Sequence, residues 1–163
     1  MPHLLDANVL ITANNSYYPL DRVPEFWEWL LRMGETGQIT MPIEMIEEIV
    51  DGNDDLAAWL SDRSHRDVLR LDEAADAALV QRVVNDGYAR DLNDVEIEKI
   101  GRDPFLIGAA LRSPADRVVV TVEVSKPAAQ RANRKVPDVC RILGVTCIDT
   151  FRLIRDLNFS TRP

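Results

Sequence analysis

The chain has 163 residues, 46% hydrophobic and 28% charged, enough for a single domain (residues 1–163) that buries roughly two thirds of its unfolded surface in one core. A formal net charge of −8 excludes a protein that holds nucleic acid through a general basic surface, but it leaves room for local basic patches. No long apolar span and no charged-then-apolar leader is present, so a soluble, cytoplasmic protein that does not use the membrane is expected. Cys140 and Cys147 form no CxxC pair and adjoin no histidine, so they read as buried structural thiols. His3 and His65 are isolated from each other, which sets zinc aside.

In chain order, Leu4 and Leu5 predict a short buried strand, and Asp6 follows where such a strand opens into a crevice at its carboxyl end. Capping of the helix that starts at Ala7 would also account for Asp6. Asn14, Asn15, Ser16 and Pro19 read as a loop, and Pro24 opens a helix whose Phe26, Trp27, Leu30 and Leu31 recur at core-facing spacing. A second strand is expected over Gln38 to Met41, then a helix from Pro42 with Ile43, Ile46, Ile49 and Val50 along one side. Glu44, Glu47 and Glu48 lie off that stripe, where either the amino-terminal dipole or a metal role explains them. Val68 to Leu71 offers a third strand, and Asp72 a long helix through Ala89 with Ala75, Leu79, Val83 and Val84 inward.

Leu92 to Ile100 reads as a short acidic helix or loop ending at Gly101. Asp103 and Pro104 then sit as N-cap and first residue of a helix rich in small residues. Asp116 to Thr121 is the clearest buried strand, since its continuous β-branched run suits a strand covered on both faces. It carries Thr121 and Glu123 to the edge where Asp6 emerges. Lys126, Arg131, Arg134 and Lys135 make the one local basic stretch; its alternative is a solvated loop. A helix from Val136, a strand over Val145 to Ile148 and a helix over Phe151 to Leu157 close the chain. This alternation predicts a three-layer α/β/α sandwich around a mainly parallel sheet of about five strands.

Asp6, Asp103 and Glu123 each stand just past a strand end or at a helix start, points that share one edge of a parallel sheet. With one acid from the Glu44 to Glu48 helix they have the composition of an oxygen-ligand site for Mg²⁺ or Mn²⁺. A site of that kind activates water and clamps phosphate oxygens.

Leu5-Asp6-Ala7-Asn8-Val9-Leu10-Ile11 resembles the opening LDxNVLI motif of PIN domains, metal-dependent nucleases best known as VapC-type toxins. Glu48-Ile49 is similar to their second motif, Asp103-Pro104 with Leu106-Ile107-Gly108-Ala109-Ala110 to the third, and Val119-Val120-Thr121-Val122-Glu123 to the closing VVTxD, with glutamate for aspartate. Val136-Pro137-Asp138-Val139-Cys140 resembles a signature of a less studied PIN-like branch.

The resemblance covers nearly the whole chain. It implies a PIN-like fold and a metal-dependent endoribonuclease in which Asp6, Glu48, Asp103 and Glu123 ligate Mg²⁺ or Mn²⁺, with Glu47 the fallback for Glu48. It further implies that Asn8 and Thr121 orient ligands or bind the scissile phosphate. Lys126, Arg131, Arg134 and Lys135 guide the RNA backbone, and Asp138 is an additional acid. An antitoxin protein is the implied partner should the chain be a toxin; a homodimer stays open. Ser125 stands where PIN domains often carry a second acid after TxD, which bears on two-metal occupancy.

Two other classes compete. A catalytically degenerate PIN-like module would bind RNA or protein without cutting, and metal affinity separates it from a nuclease. A signalling receiver also has a parallel sheet, an acidic pocket, a Thr and a Lys-Pro pair such as Lys126-Pro127, but receivers carry adjacent acids after the first strand, and here Asp6 precedes Ala7. Phosphate transfer from a phosphodonor to an aspartate discriminates it.

Overall fold

A computed structural model describes residues 1–162. The fold is α/β: among the described residues, ten α-helices surround a four-stranded, fully parallel sheet in the order β2-β1-β3-β4. The strands are short: β1 (His3–Leu5), β2 (Ile39–Thr40), β3 (Val118–Val120) and β4 (Thr146–Ile148). In register, Leu5 stands beside Val120 and Val120 beside Ile148. β1 and β3 therefore end level, at the centre of the sheet. Leu4, Leu5, Val119 and Val120 are fully buried, as their unbroken apolar runs require.

The helices are α1 (Ala7–Thr12), α2 (Pro24–Glu35), α3 (Ile43–Val50), α4 (Asp55–Ser61), α5 (Arg63–Leu69), α6 (Ala77–Arg82), α7 (Asp94–Ile100), α8 (Asp103–Leu111), α9 (Val136–Leu143) and α10 (Thr150–Asp156). α2 begins at Pro24, whose fixed φ and missing N–H suit a first turn. It buries Phe26, Trp27, Trp29 and Leu30, with the Phe26 ring stacked on Tyr18 and edge-on to Trp27 and Phe159. α8 is buried along most of its length and packs against β1 and β3. Gly144 ends α9 in the left-handed conformation, which favours glycine. Cys140 is buried and Cys147 half-buried, both as free thiols.

Four expectations are corrected. The sheet has four strands, because the chain over Val68–Leu71 is not a strand. The side chain of Asp62 accepts the Ser64 N–H and starts α5, which runs through Leu69. Only Arg70 bridges to Met41, a single parallel pair beside β2. The long helix expected from Asp72 begins only at Ala77, where Asp76 caps it through the N–H groups of Ala78 and Leu79. Beyond Arg82 it continues as a wider π-helical turn over Val83–Tyr88. A similar turn, Ala13–Tyr17, replaces the loop expected after α1, closed by the Tyr18 N–H on the Ala13 carbonyl at 2.7 Å. Lastly, Arg102 occupies the N-cap position of α8, so Asp103 and Pro104 are its first two residues.

Candidate functional site

The level ends of β1 and β3 bring the first and fourth acidic motifs together. The Asp6 N–H donates to the Val120 carbonyl at 2.9 Å, so Asp6 leaves the sheet directly beside Thr121. The Thr121 hydroxyl donates to Asp6 Oδ2 at 2.9 Å and accepts the Glu123 N–H at 3.2 Å. Asn8, in the first turn of α1, accepts the Val122 N–H through Oδ1 at 3.2 Å, and its amide nitrogen lies 3.4 Å from Thr121 Oγ1. Asp6 and Thr121 are 3% and 1% exposed. Asp6 holds the N-cap position of α1 but its side chain accepts no capping bond there. The carboxylate is thus engaged by Thr121, not by its own helix.

Three further acids reach the same place. A cavity of about 330 Å³ is lined by Asp6, Asn8, Glu48, Asp103 and Glu123. Glu48 lines it from α3, while its neighbour Glu47 lies 3.8 Å from the Arg102 guanidinium. Arg102 also donates to the Glu44 carbonyl and to Asp51 Oδ2, both at 3.2 Å, tying α3 to the start of α8 and so holding Glu48 on the side of Asp103. Gly101, at φ +53°, makes the turn between α7 and α8 that delivers Arg102 and Asp103. Glu123 is anchored at its far end, where Oε2 accepts the Val136 N–H at the start of α9 at 2.7 Å.

Crowding of these acids changes their proton affinity. Burial, reinforced by the Glu123 and Glu48 charges and opposed by the Thr121 bond, pushes the Asp6 carboxyl up to about 6. Burial and the charges of Asp6, Glu123 and Glu48, against the weaker pull of Lys135, push Asp103 up to about 8. Glu48 is also raised, by desolvation, with Arg102 opposing. Perturbed carboxyls converging in one cleft are a recognised mark of functional sites.

Among the described residues, no three His, Cys, Asp or Glu side chains stand close enough to grip one ion as they lie. The donor chemistry nevertheless fits a hard divalent cation. Every candidate ligand is an oxygen, and burial and mutual repulsion raise the proton affinity of Asp6 and Asp103, strain that a divalent cation would relieve.

The remaining residues singled out in the sequence fall elsewhere. Asp138 is 2% exposed but does not line the acidic cavity. Burial alone would raise its carboxyl; the bonds it accepts from the Ser125 hydroxyl and, at 2.7 Å, the Lys126 N–H, with Arg141 and Arg134 nearby, hold it below the usual range. It anchors the loop after β3 to α9. Arg131 binds Glu96 Oε2 at 2.9 Å and Asp91 Oδ1 at 2.8 Å, and Arg134 binds the carbonyls of Gly87 and Tyr88. Those two guanidinium groups brace the fold. Lys126 and Lys135 instead line a second cavity, of about 310 Å³, that shares Asp103 and Glu123 with the first.

Sequence reasoning missed Arg102, Tyr88 and Lys99. Arg102 had one signal, its place between a helix-breaking glycine and Asp103; Tyr88 and Lys99 had none. No helix is long and apolar enough to cross a membrane. No curated protein and no solved structure gives a match. The family model described as "Domain of unknown function (DUF4411)" matches residues 3–161, nearly the whole chain, and the protein belongs to that family.

Proposed function

We propose that this chain is a metal-dependent endoribonuclease with a PIN-like, three-layer fold, acting in the cytoplasm, in the manner of the toxin of a toxin–antitoxin pair. The observation that carries the reading is the convergence of Asp6, Glu48, Asp103 and Glu123, from four separate stretches of chain, on one cavity at the carboxyl edge of β1 and β3. Asp6, Glu48, Asp103 and Glu123 would hold Mg²⁺ or Mn²⁺. Bound there, the cation would supply a water of lowered pKa and a counter-charge for phosphate oxygens.

The chain's own residues do the positioning. Thr121 fixes one oxygen of Asp6 and leaves the other for a ligand. Asn8, through the Val122 N–H, holds the turn that presents Glu123. Asp103, protonated near neutral pH without a cation, must release its proton on loading, so affinity for the cation rises with pH up to about 8. Lys126 and Lys135 attract the phosphate backbone without reading sequence.

Cleavage of a mixed RNA pool in Mn²⁺ or Mg²⁺ tests the reading, with Asp6→Asn and Asp103→Asn as the variants. The expected result is cleavage by the wild type, its loss in EDTA, and its loss in both variants with the fold intact by circular dichroism. Full activity in both variants, with protein free of contaminating nuclease, removes the assigned site. One observation favours the second reading, a module that binds without cutting: an oxygen of Glu123 is already engaged by the Val136 N–H, which restricts its approach to an ion. No cation binding at millimolar concentration, measured by calorimetry, would select it.

A further inference from the structure

The 310 Å³ cavity beside the acidic one has the opposite character. Lys99, Lys126 and Lys135 line it, and it meets the acidic cavity along Asp103 and Glu123. Its wall also contains Tyr88, which is 3% exposed and whose hydroxyl has no hydrogen-bond partner among the described residues. A buried phenol finds a partner in nearly every folded protein, because leaving its O–H unbonded costs free energy. Burial, and after it the neighbouring Asp103 and Glu123, hinders ionisation of Tyr88, yet neither acid accepts a hydrogen bond from its hydroxyl.

The local structure holds Tyr88 at that wall. Tyr88 ends the π-helical turn Val83–Tyr88, and Arg134 clamps its carbonyl at 3.1 Å and that of Gly87 at 2.9 Å. π-turns of this kind recur at functional sites. Lys99 donates to Asn133 Oδ1, which steadies the ammonium at the junction of the two cavities and leaves two of its three N–H donors for a ligand.

We infer that this cavity seats a backbone phosphate of a single-stranded nucleic acid next to the one cleaved, with the Tyr88 hydroxyl and the ammonium groups of Lys99, Lys126 and Lys135 as its donors. The inference rests on the proposed nuclease reading for the identity of the strand. Three ammonium groups outnumber the two acids of the shared wall, Asp103 and Glu123, so a phosphate is tolerated there although the protein carries a net charge of −8. A neutral donor beside the lysines adds direction to an attraction that is otherwise only charge.

The test is binding without cleavage. Fluorescence anisotropy of a labelled single-stranded RNA octamer, with and without a 5′-phosphate, is measured in EDTA for the wild type, Tyr88→Phe, Lys99→Gln and Lys99→Arg. Expected are a loss of affinity of about three- to tenfold in Tyr88→Phe and in Lys99→Gln, recovery in Lys99→Arg, and a shallower salt dependence in Lys99→Gln, by about 0.7 in the logarithmic slope. Tyr88→Phe removes an unbonded buried hydroxyl, so its melting temperature should equal or exceed that of the wild type, and weakened binding will not reflect unfolding. An affinity gain from the 5′-phosphate that both variants abolish assigns the seat to a strand end; equal losses with both octamers assign it to an internal phosphate. Unchanged affinity in Tyr88→Phe and Lys99→Gln, or no binding by the wild type, overturns the seat. Parallel cleavage in Mn²⁺ keeps the two readings apart: cleavage with unchanged variant affinity rejects the seat alone, and variant-sensitive binding without cleavage rejects the nuclease alone.

Discussion

Replacing Asp103 by asparagine should stabilise the protein in the absence of divalent cations, although it alters a residue at the centre of the acidic cavity. In the folded chain its carboxyl is pushed from 3.8 up to about 8 by burial and by the charges of Asp6, Glu123 and Glu48. Below the unfolded value of about 4 the group is protonated in both states and contributes nothing. As pH rises, the unfolded chain releases the proton while the folded chain keeps it, so the folded state binds more protons and stability falls until pH reaches about 8. At about 1.4 kcal/mol for each tenfold change in proton affinity, the ceiling of this penalty is about 6 kcal/mol. Water in the cavity screens the charges, and Asp6 shares the burden by titrating alongside, which brings the expected gain to about 1–3 kcal/mol. The asparagine side chain carries no charge at any pH, so Asp103→Asn should melt roughly 3–8 °C higher than the wild type at pH 8 and level with it at pH 4. The assay is thermal unfolding by circular dichroism from pH 4 to 9 in EDTA. A variant no more stable than the wild type at pH 8, or a gap that does not widen with pH, would refute the electrostatic account of this cavity. On the proposed reading, millimolar Mn²⁺ should raise the melting temperature of the wild type at pH 8 and leave that of Asp103→Asn unchanged.

Two further predictions concern the frame around the acids. Thr121→Val removes the donor to Asp6 Oδ2 and the acceptor for the Glu123 N–H, at a position 1% exposed; it should cost about 1–3 kcal/mol in urea unfolding and move the Asp6 carboxyl above about 6 by NMR titration. Gly87→Ala sets a Cβ 2.6 Å from Val139 Cγ1 and 3.3 Å from Leu143 Cδ1, so the turn carrying Tyr88 and α9 must part; a loss of about 1–3 kcal/mol is expected, and an unchanged urea midpoint would contradict the packing.

The elements legible in the sequence are those whose signal is local. β3 follows from an unbroken valine run, α2 and α9 from a proline in the first turn followed by an apolar stripe, and the edge shared by Asp6 and Glu123 from the rule that ligands gather beyond the carboxyl ends of parallel strands. Val68 to Leu71 misled because four residues cannot distinguish a buried strand from a helix end, and the deciding signal, the Asp62 cap, lies upstream. Glu47 and Glu48 could not be separated because adjacent helical residues differ by about 100° in direction, and only the Arg102 tether shows which one meets the cavity. Arg131 and Arg134 read as one basic run with Lys126 and Lys135. Their partners Asp91, Glu96 and the Gly87 and Tyr88 carbonyls lie 35 to 47 residues away, and no local pattern announces them.

The two ends of the acidic cavity are built differently, and this bears on how a cation would be received there. Asp6 is fixed: its N–H is bonded to β3, its carboxylate to Thr121, and its burial is nearly complete. Glu123 is fixed as well, through the Val136 N–H. Glu48 is exposed on α3, held only by the placement of its helix, and is the side chain with the greatest freedom to turn. If the proposed nuclease loads a cation, the tightening that brings three carboxylates within reach of one ion falls chiefly to Glu48, and the entropy of ordering that side chain weakens the affinity. The rigid pair then governs where the cation sits, and the exposed acid governs how tightly it is held.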